Sequence, residues 1–460
     1  MALADDVASL AAKGDTFFLV WAGCLVFFMQ CGFAMLEAGT VRAKNTKNIL
    51  IKNLLDACIG GIMWYLVGFG IAFGDDTDNG FLGSGTGGKA YAIHIEDWRS
   101  SYTAEGTDWA FWFFQFTFAA ATATIISGGV AERCTLTGYV IYSIAFTSFI
   151  YPVVVHMVWD SEGYFSAFNS GTGAAAPVLG GVMDFAGSGV VHLTGGIGAL
   201  AGAALLGPRL GRFNADGQAV PLPGHSAVLQ VLGTFILWLG WYGFNGGSTL
   251  SVFGLGTAYA RDLARVCVTT TLSACSGALS TFLMAYLVTH VWDIQAVSNG
   301  ILVGLVSITS GCVVVDPWAA IIIGLIGGFI YTGASKLLVA LKIDDPLDAF
   351  AVHGASGTWG VLAVGVFCRP EYSYNLLGKH GFIYPNTGPN SPTETYNDVL
   401  GIQIVTLLVI WAWVGVTATA MFAALKVTGI LRVPAEVEEM GMDISKHGGE
   451  AYPDQGTKAA

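Results

Sequence analysis

Two histidines, each eight residues after an aspartate, are the side chains whose spacing best suits chemistry. The first pair is Asp184 and His192, in Asp-Phe-Ala-Gly-Ser-Gly-Val-Val-His, and the second is Asp345 and His353, in Asp-Pro-Leu-Asp-Ala-Phe-Ala-Val-His. Each histidine lies in a run of apolar and small residues. Because an imidazole gains or loses its proton near neutral pH, the two stretches together predict a proton-handling site.

The elements that carry these histidines are predicted from composition. The 460 residues are 54% hydrophobic and only 11% charged, whereas soluble domains average about 25% charged residues. No polar stretch long enough to fold by itself separates the apolar runs. We therefore predict an all-α polytopic membrane protein, with one transmembrane domain over residues 1–426 and a tail over 427–460.

Runs of roughly 20 apolar residues, the length that crosses about 30 Å of hydrocarbon, predict eleven transmembrane helices. Their predicted bounds are 16–37, 48–73, 109–131, 139–159, 186–206, 226–247, 266–289, 298–315, 318–341, 349–368 and 400–426.

The distribution of positive charge predicts the orientation of these helices, because cytoplasmic loops are enriched in Lys and Arg. Loop 74–108 is acidic and loop 160–183 has no Lys or Arg, so both are predicted outside. The N-terminus is then outside and the tail inside, with Arg261 and Arg265 as exceptions in an outer loop. The inner loops carry Arg42, Lys44, Lys47, Arg133, Arg209, Arg212 and Lys342.

Five helices separate the two histidine stretches, so the fifth and tenth helices cross the membrane in opposite directions. This predicts two inverted five-helix repeats followed by a final helix. Eight helical residues rise about 12 Å, which brings both histidines close to the middle of the bilayer. Glycines in both helices favour close backbone packing, namely Gly195, Gly196, Gly198, Gly354, Gly357 and Gly360.

Several aromatic residues allow two interpretations of their role. Phe114 and Phe118 lie one turn apart on the third helix, Trp159 ends the fourth, and Phe244 ends the sixth. They could belong to the aromatic belt at the membrane surface, or their ring faces could hold a small cation that has lost its water. Asp184 likewise suits a helix cap as well as a functional role.

Cofactor and metal sites are not predicted. The eight cysteines lie in or beside apolar runs without a Cys-x-x-Cys pair, so metal and disulfide interpretations are weak. With a formal net charge of −12, the chain is expected to have no nucleic-acid partner. The lipid bilayer is the partner that composition implies.

Six stretches together resemble the ammonium transporter family (Amt/Mep/Rh), in its plant- and alga-type Amt branch. They are Met-Leu-Glu-Ala-Gly-Thr-Val-Arg-Ala-Lys-Asn (35–45), Val-Ala-Glu-Arg-Cys (130–134), His-Met-Val-Trp (156–159), residues 184–192, Gly-Trp-Tyr-Gly-Phe-Asn-Gly-Gly-Ser (240–248) and residues 344–354.

The resemblance implies a role for each matching position. Trp159, Phe118 and Ser248 would recruit ammonium outside, supported by Asp184. Phe118 and Phe244 would form an aromatic gate, and His192 and His353 the pore pair.

The resemblance also implies the substrate, assembly and regulation. The expected activity is transport of ammonium, ammonia and methylammonium by a homotrimer in the plasma membrane, and not an enzymatic reaction. Residues 441–449, Gly-Met-Asp-Ile-Ser-Lys-His-Gly-Gly, look like a family tail that docks on a neighbouring subunit. Ser445 would then be a regulatory site for a kinase.

Two alternatives remain from the sequence. An ammonium sensor, or transceptor, would bind the same substrate and signal. An intramembrane serine protease is suggested only by the short Gly-Ala-Ser-Gly pattern at 354–357, which chance readily produces in a chain with 62 glycines.

Overall fold

The fold is taken from a computed structural model, which describes residues 2–74, 80–83, 107–169, 176–253, 258–372, 379–384 and 399–452. Most of the acidic loop predicted at 74–108, part of loop 160–183 and the last eight residues of the tail lie outside this part of the chain. In the described residues the molecule is helical, with isolated β-bridges but no strand. The all-α prediction is confirmed for these residues.

In the described part of the chain, eleven helices longer than 15 residues precede the tail. In chain order they are α1 (Ala2–Thr40), α2 (Ala43–Phe73), α3 (Thr107–Val130), α4 (Leu136–Trp159), α5 (Ser188–Leu206), α6 (Ala227–Gly247), α7 (Ala258–Thr289), α8 (Ile294–Thr309), α9 (Pro317–Ala340), α10 (Phe350–Phe367) and α11 (Val399–Val427). The tail adds α12 (Ala435–Met440) and α13 (Met442–Lys446).

Among the described residues, ten helices are long and apolar enough to cross a membrane, rather than the eleven predicted. The exception is α8, which has 16 residues and ends at Thr309 instead of the predicted 315. Its end is set by a turn, in which Gly311 N donates to Ile308 O at 3.0 Å. Hydropathy alone does not detect this turn, because the residues that follow are also apolar.

Helix α7 begins eight residues before the predicted start, so Arg261 and Arg265 lie in a helix and not in a loop. The Arg265 guanidinium is satisfied locally: it pairs with Asp262 at 2.7 Å and donates to the Val313 carbonyl at 2.9 Å. A charged residue can therefore continue the helix beyond the apolar run. The predicted bounds stopped at the first charge and missed this extension.

The packing of the helices repeats after five helices. The contacts of α1 with α3, α2 with α3 and α3 with α5 recur as α6 with α8, α7 with α8 and α8 with α10. The two halves meet mainly through α1 and α6. This arrangement agrees with the predicted repeat, and it brings α5 and α10 together at the centre.

Helices α5 and α10 both open with a π-helical turn that contains the histidine, over Ser188–Leu193 and Phe350–Ala355. Their backbones cross where glycine leaves room. A Cβ atom on Gly196 would collide with the Gly354 backbone, and one on Gly357 would lie 2.5 Å from the Ser188 carbonyl oxygen. These glycines permit the two histidine helices to touch.

One end of the bundle, here called the tail face, comprises the loops at 41–46, 131–135, 207–226 and 341–348 with the tail at 428–452. Glu132 joins three of the loops, accepting from Arg42 Nε at 2.5 Å and from Arg209 Nη1 at 2.8 Å. Arg209 also pairs with Asp344 at 2.8 Å. Although burial opposes ionisation, hydrogen bonds and charge from Arg209 lower the pKa of Asp344 to about 2.

The tail packs on the tail face of its own chain. Asp443 accepts from the backbone N–H groups of Lys47 and Asn48, at 2.9 and 3.0 Å, at the start of α2. The Ser445 hydroxyl donates to the Gly441 carbonyl at 2.7 Å, one turn earlier. Docking on a neighbouring subunit stays a prediction.

Candidate functional site

A cavity of about 220 Å³ lies at the opposite end of the bundle, here called the far face, which comprises residues 160–169, 176–187, 248–253, 310–316 and 368–372. Three of the predicted recruitment residues, Phe118, Trp159 and Ser248, line it together. The Ser248 hydroxyl donates to the Phe244 carbonyl at 2.8 Å, which directs its remaining lone pairs elsewhere. Aromatic walls with few polar groups suit a small cation that has lost water.

Gln115 adds a polar group to this cavity that sequence reasoning missed. Its Oε1 atom is buried and has no hydrogen-bond partner among the described residues. A buried amide oxygen without a partner is costly, and an N–H donor in the cavity would remove that cost. The neighbouring Phe114 ring also lines the cavity, at 4.7 Å from the ring of Phe118.

A column of rings continues from this cavity towards the tail face. Trp159 meets Phe118 edge to face at 5.8 Å between centroids, and Phe118 stacks on Phe244 at 4.1 Å. Next, Phe244 stacks on His192 at 5.3 Å. Because rings at about 4 Å are in van der Waals contact, no molecule fits between Phe118 and Phe244 in this conformation. The predicted gate residues are therefore adjacent and closed.

The two histidines are in direct contact. Nδ1 of His192 lies 3.2 Å from Nδ1 of His353, and both rings are buried. A hydrogen bond between two Nδ1 atoms requires a proton on only one of them. In the neutral pair one ring then has an accepting Nε2 and the other a donating Nε2–H. The Nε2 atom of His192 has no other partner among the described residues.

This asymmetry gives the pair a chemical capacity that neither ring has alone. When the accepting Nε2 takes up a proton, the shared proton can move along the Nδ1 to Nδ1 hydrogen bond and the other ring can release its Nε2 proton, after which the accepting and donating Nε2 atoms have exchanged. Burial disfavours a charged imidazolium, so the neutral pair is the resting state. The arrangement can bind a small polar molecule at one Nε2 and pass a proton between the rings.

Asp184 supports this column without lining the far-face cavity. Its carboxylate accepts from the backbone N–H groups of Gly187, Gly189 and Val190 at 2.8 to 3.1 Å, and from the Ser310 hydroxyl. Its carbonyl oxygen accepts from Trp159 Nε1 at 2.7 Å. Asp184 thus caps the π-helical turn of His192 and orients the indole.

Two further residues complete the column and were missed from the sequence. Trp241 stacks on His192 at 4.9 Å and donates to the Thr309 hydroxyl at 2.9 Å. Phe33 lies 6.3 Å from His353 on the tail-face side. Trp241 was detectable, because it lies three residues before Phe244 on the same helix face. Phe33 and Gln115 lack a sequence signal of this kind.

The protease pattern does not form a nucleophilic site. The Ser356 hydroxyl is buried and donates to the Ala351 carbonyl at 3.3 Å, and not to a histidine. His156 Nδ1 meets the Ala72 carbonyl at 3.1 Å, as expected for a structural histidine.

Comparison with known proteins decides the family. The sequence model of the Ammonium Transporter Family matches residues 17–452. The chain belongs to the ammonium transporter family. Ammonium transporter 1 member 2 of Oryza sativa subsp. japonica is 44% identical over 421 residues, which cover 90% of this chain and 81% of that relative.

Two solved structures are similar to this ammonium transporter family member. A structure titled Sensor Amt Protein has a TM-score of 0.81 and 31% identity, covering 95% of this chain and 99% of its own. Candida albicans Mep2 has a TM-score of 0.76 and 26% identity, covering 92% and 86%. Both the resemblance stated from the motifs and the transporter class are confirmed.

Proposed function

We propose that this protein transports ammonium by separating ammonia from its proton. The observation that carries the proposal is the continuous column from the far-face cavity, through the stacked Phe118 and Phe244, to the paired His192 and His353.

Recruitment would occur in the far-face cavity. The ring faces of Phe118 and Trp159 attract a cation, and Ser248 and the unpaired Gln115 oxygen accept its N–H groups. Asp184 acts through Trp159, whose indole it holds. Potassium has a similar size and charge, so the cavity alone would select poorly between the two ions.

Passage through the column supplies the selectivity. An intact ion between apolar rings loses its water at a cost of several kcal/mol, whereas neutral ammonia does not bear that cost. Ammonium would lose its proton near Phe118, and ammonia would pass along His192 and His353. The histidine pair would carry the proton separately, which makes net transport electrogenic.

The topology follows the charge pattern. We propose eleven membrane spans, with α8 as a short eighth span, the N-terminus outside and the tail face in the cytoplasm. The protein would be a homotrimer in the plasma membrane. Residues 427–460 would regulate it, with Ser445 as a kinase site whose phosphate adds charge at a packed surface.

Proteoliposomes that contain the full chain test the transport mechanism. Labelled methylammonium uptake and ammonium-dependent current are measured on the same preparation, with potassium as a competitor. Replacing both histidines by leucine is expected to remove the current, because apolar side chains cannot relay a proton. A normal ammonium current in that double variant would refute the relay.

A sensing role is the second candidate, because a solved relative is itself titled a sensor. Ammonium binding without methylammonium uptake in the proteoliposomes would favour sensing over transport.

A further inference from the structure

A small second cavity lies beyond His353, on the tail-face side of the histidine pair. Its volume is about 20 Å³, and it is bounded by His353 and Phe33 together with two polar residues, Glu37 of α1 and Asn299 of α8. A cavity needs roughly 10–15 Å³ to hold one water molecule. The space therefore suits a single molecule of water, or of ammonia, which has a similar size.

Glu37 is held in a fixed position beside this cavity. The carboxyl group is almost fully buried, at 2% exposure. Its Oε2 accepts from Asn53 Nδ2 at 2.7 Å, and its Oε1 accepts from the Ser127 hydroxyl. Both donors are neutral, and none of the ion pairs among the described residues involves this carboxyl. A buried carboxyl group with only neutral hydrogen-bond partners can exist in either protonation state.

Asn299 belongs to the second repeat, unlike Glu37, and a chain of hydrogen bonds within that repeat positions its amide. Its Nδ2 donates to the Tyr331 hydroxyl at 2.9 Å, and that hydroxyl donates to Asp348 at 2.8 Å. This bond uses one of the two amide N–H groups, and the amide oxygen accepts no hydrogen bond from the described residues. That oxygen remains as an acceptor for an N–H group in the cavity.

We propose that Glu37 is a proton-exchanging residue at the tail-face end of the pore, and that Glu37 and Asn299 form an exit site for ammonium. The proposal rests on the transport mechanism proposed above. Ammonia that has passed His353 takes the proton of the Glu37 carboxylic acid: an N–H bond forms, the O–H bond breaks, and ammonium faces a carboxylate. The histidine pair then returns one proton to Glu37, so atoms and charge balance over the cycle.

Charged and titratable groups on the neighbouring helices influence the protonation of Glu37. The charged groups closest to it are Lys52 and Asp56, both buried on α2, where Lys52 donates to the Cys134 carbonyl at 2.8 Å. From α10 the titratable group is His353, and from α3 the neutral Ser127 hydroxyl faces the carboxyl. Asp56 accepts from Tyr139 and does not line the cavity. It is therefore a matched control carboxyl.

The test compares Glu37→Gln with Asp56→Asn in proteoliposomes made with the full chain. Ammonium-dependent current reports net charge, and an entrapped pH dye reports the alkalinisation that entering ammonia causes. In Glu37→Gln the current is expected to fall about a hundredfold, the lower end of the range for loss of a general acid or base, while alkalinisation rises because ammonia then enters without its proton. Asp56→Asn is expected to give the wild-type current without added alkalinisation.

Each other outcome counts against the proposal. A wild-type current in Glu37→Gln refutes it, and so does a loss of current without alkalinisation, which would indicate a damaged pore. If Glu37→Gln does not fold, Glu37→Asp replaces it; that variant keeps a carboxyl and must carry a current. Wild-type liposomes without methylammonium uptake would instead refute transport itself, which separates the two failures.

Discussion

The two Asp-x7-His stretches have the same sequence spacing, but their aspartates form different numbers of hydrogen bonds. Asp184 accepts four hydrogen bonds, three from backbone N–H groups and one from Ser310. In contrast, Asp345 accepts one, from the Phe350 N–H at 2.8 Å, and its Oδ1 is buried without a partner among the described residues. The histidines are equivalent in position, whereas their aspartates are not.

The neighbours of Asp345 explain the difference. Asp344 takes the ion pairs with Arg209 and Arg212, at 2.8 and 3.2 Å, and Asp348 accepts from Tyr331 and Ser335 at 2.8 Å. On the far face the single carboxylate of Asp184 makes the hydrogen bonds that hold the start of the histidine helix. On the tail face the hydrogen bonds and ion pairs are divided among three carboxylates, those of Asp344, Asp345 and Asp348. Equal spacing therefore identifies equivalent positions, but the contacts decide how much each residue contributes.

The test with the largest expected effect on stability is the removal of each aspartate. Asp184→Ala leaves three buried N–H groups and a hydroxyl without an acceptor. At about 1–3 kcal/mol per buried unsatisfied group, with partial relaxation, we expect a loss of about 3–5 kcal/mol and of transport. Thermal unfolding in detergent and methylammonium uptake would measure both effects.

Asp345→Ala is the matched control on the other stretch. It removes a single acceptor, so the expected loss is about 1 kcal/mol or less. Equal destabilisation by the two variants would show that the contacts do not explain the difference.

The crossing between the two stretches gives the next effect in size. In Gly196→Ala the new methyl group meets the Gly354 backbone, and overpacking of this kind costs about 1–3 kcal/mol. We expect a lower unfolding temperature and a weaker current, because the histidines move apart. In Gly333→Ala, on α9, the methyl group meets no atom within 4 Å, so stability should hold or rise. Similar losses in both variants would exclude the crossing as the cause.

A substitution in the tail is expected to have a smaller effect on transport, transmitted through the second Asp-x7-His stretch. Leu210 N donates to Glu438 of the tail at 2.7 Å, and the adjacent Arg209 pairs with Asp344, next to Asp345. Ser445→Asp puts a second negative charge near Asp443, which would loosen the tail from α2. We expect uptake to fall about two- to tenfold, about 0.4–1.4 kcal/mol, with substrate affinity at the far-face cavity unchanged. Ser445→Ala should remain active, and a raised KM in Ser445→Asp would contradict this account.

Much of the fold and the pore column could be predicted from the sequence. Apolar runs gave the central part of each helix, because a bilayer requires continuous helical segments. They did not give all of the ends: α1 begins at Ala2 and not at 16, and α7 begins at Ala258 and not at 266. The spacing and repeat led to His192 and His353. Glu37 and Asn299 could not be predicted, because their role depends on a cavity formed by distant helices. The different contacts of Asp344, Asp345 and Asp348 could not be predicted either, because nothing in the sequence distinguishes these neighbouring carboxylates.

A test by pH sharpens the comparison further. Burial, and next the negative charge of Asp348, raise the pKa of Asp345 from its ordinary range to about 7. The folded state therefore binds a proton that the unfolded state releases near pH 4, so this contribution to stability is lost as the pH rises from about 4 to about 7. Asp345→Asn cannot lose a proton, and its stability relative to the wild type should rise between pH 5 and pH 8. Unfolding temperatures of both proteins across this range would measure the change, and a constant difference would mean that Asp345 does not titrate there. Loss of stability in Asp345→Asn at every pH would instead make the carboxylate of the second stretch as structural as that of the first.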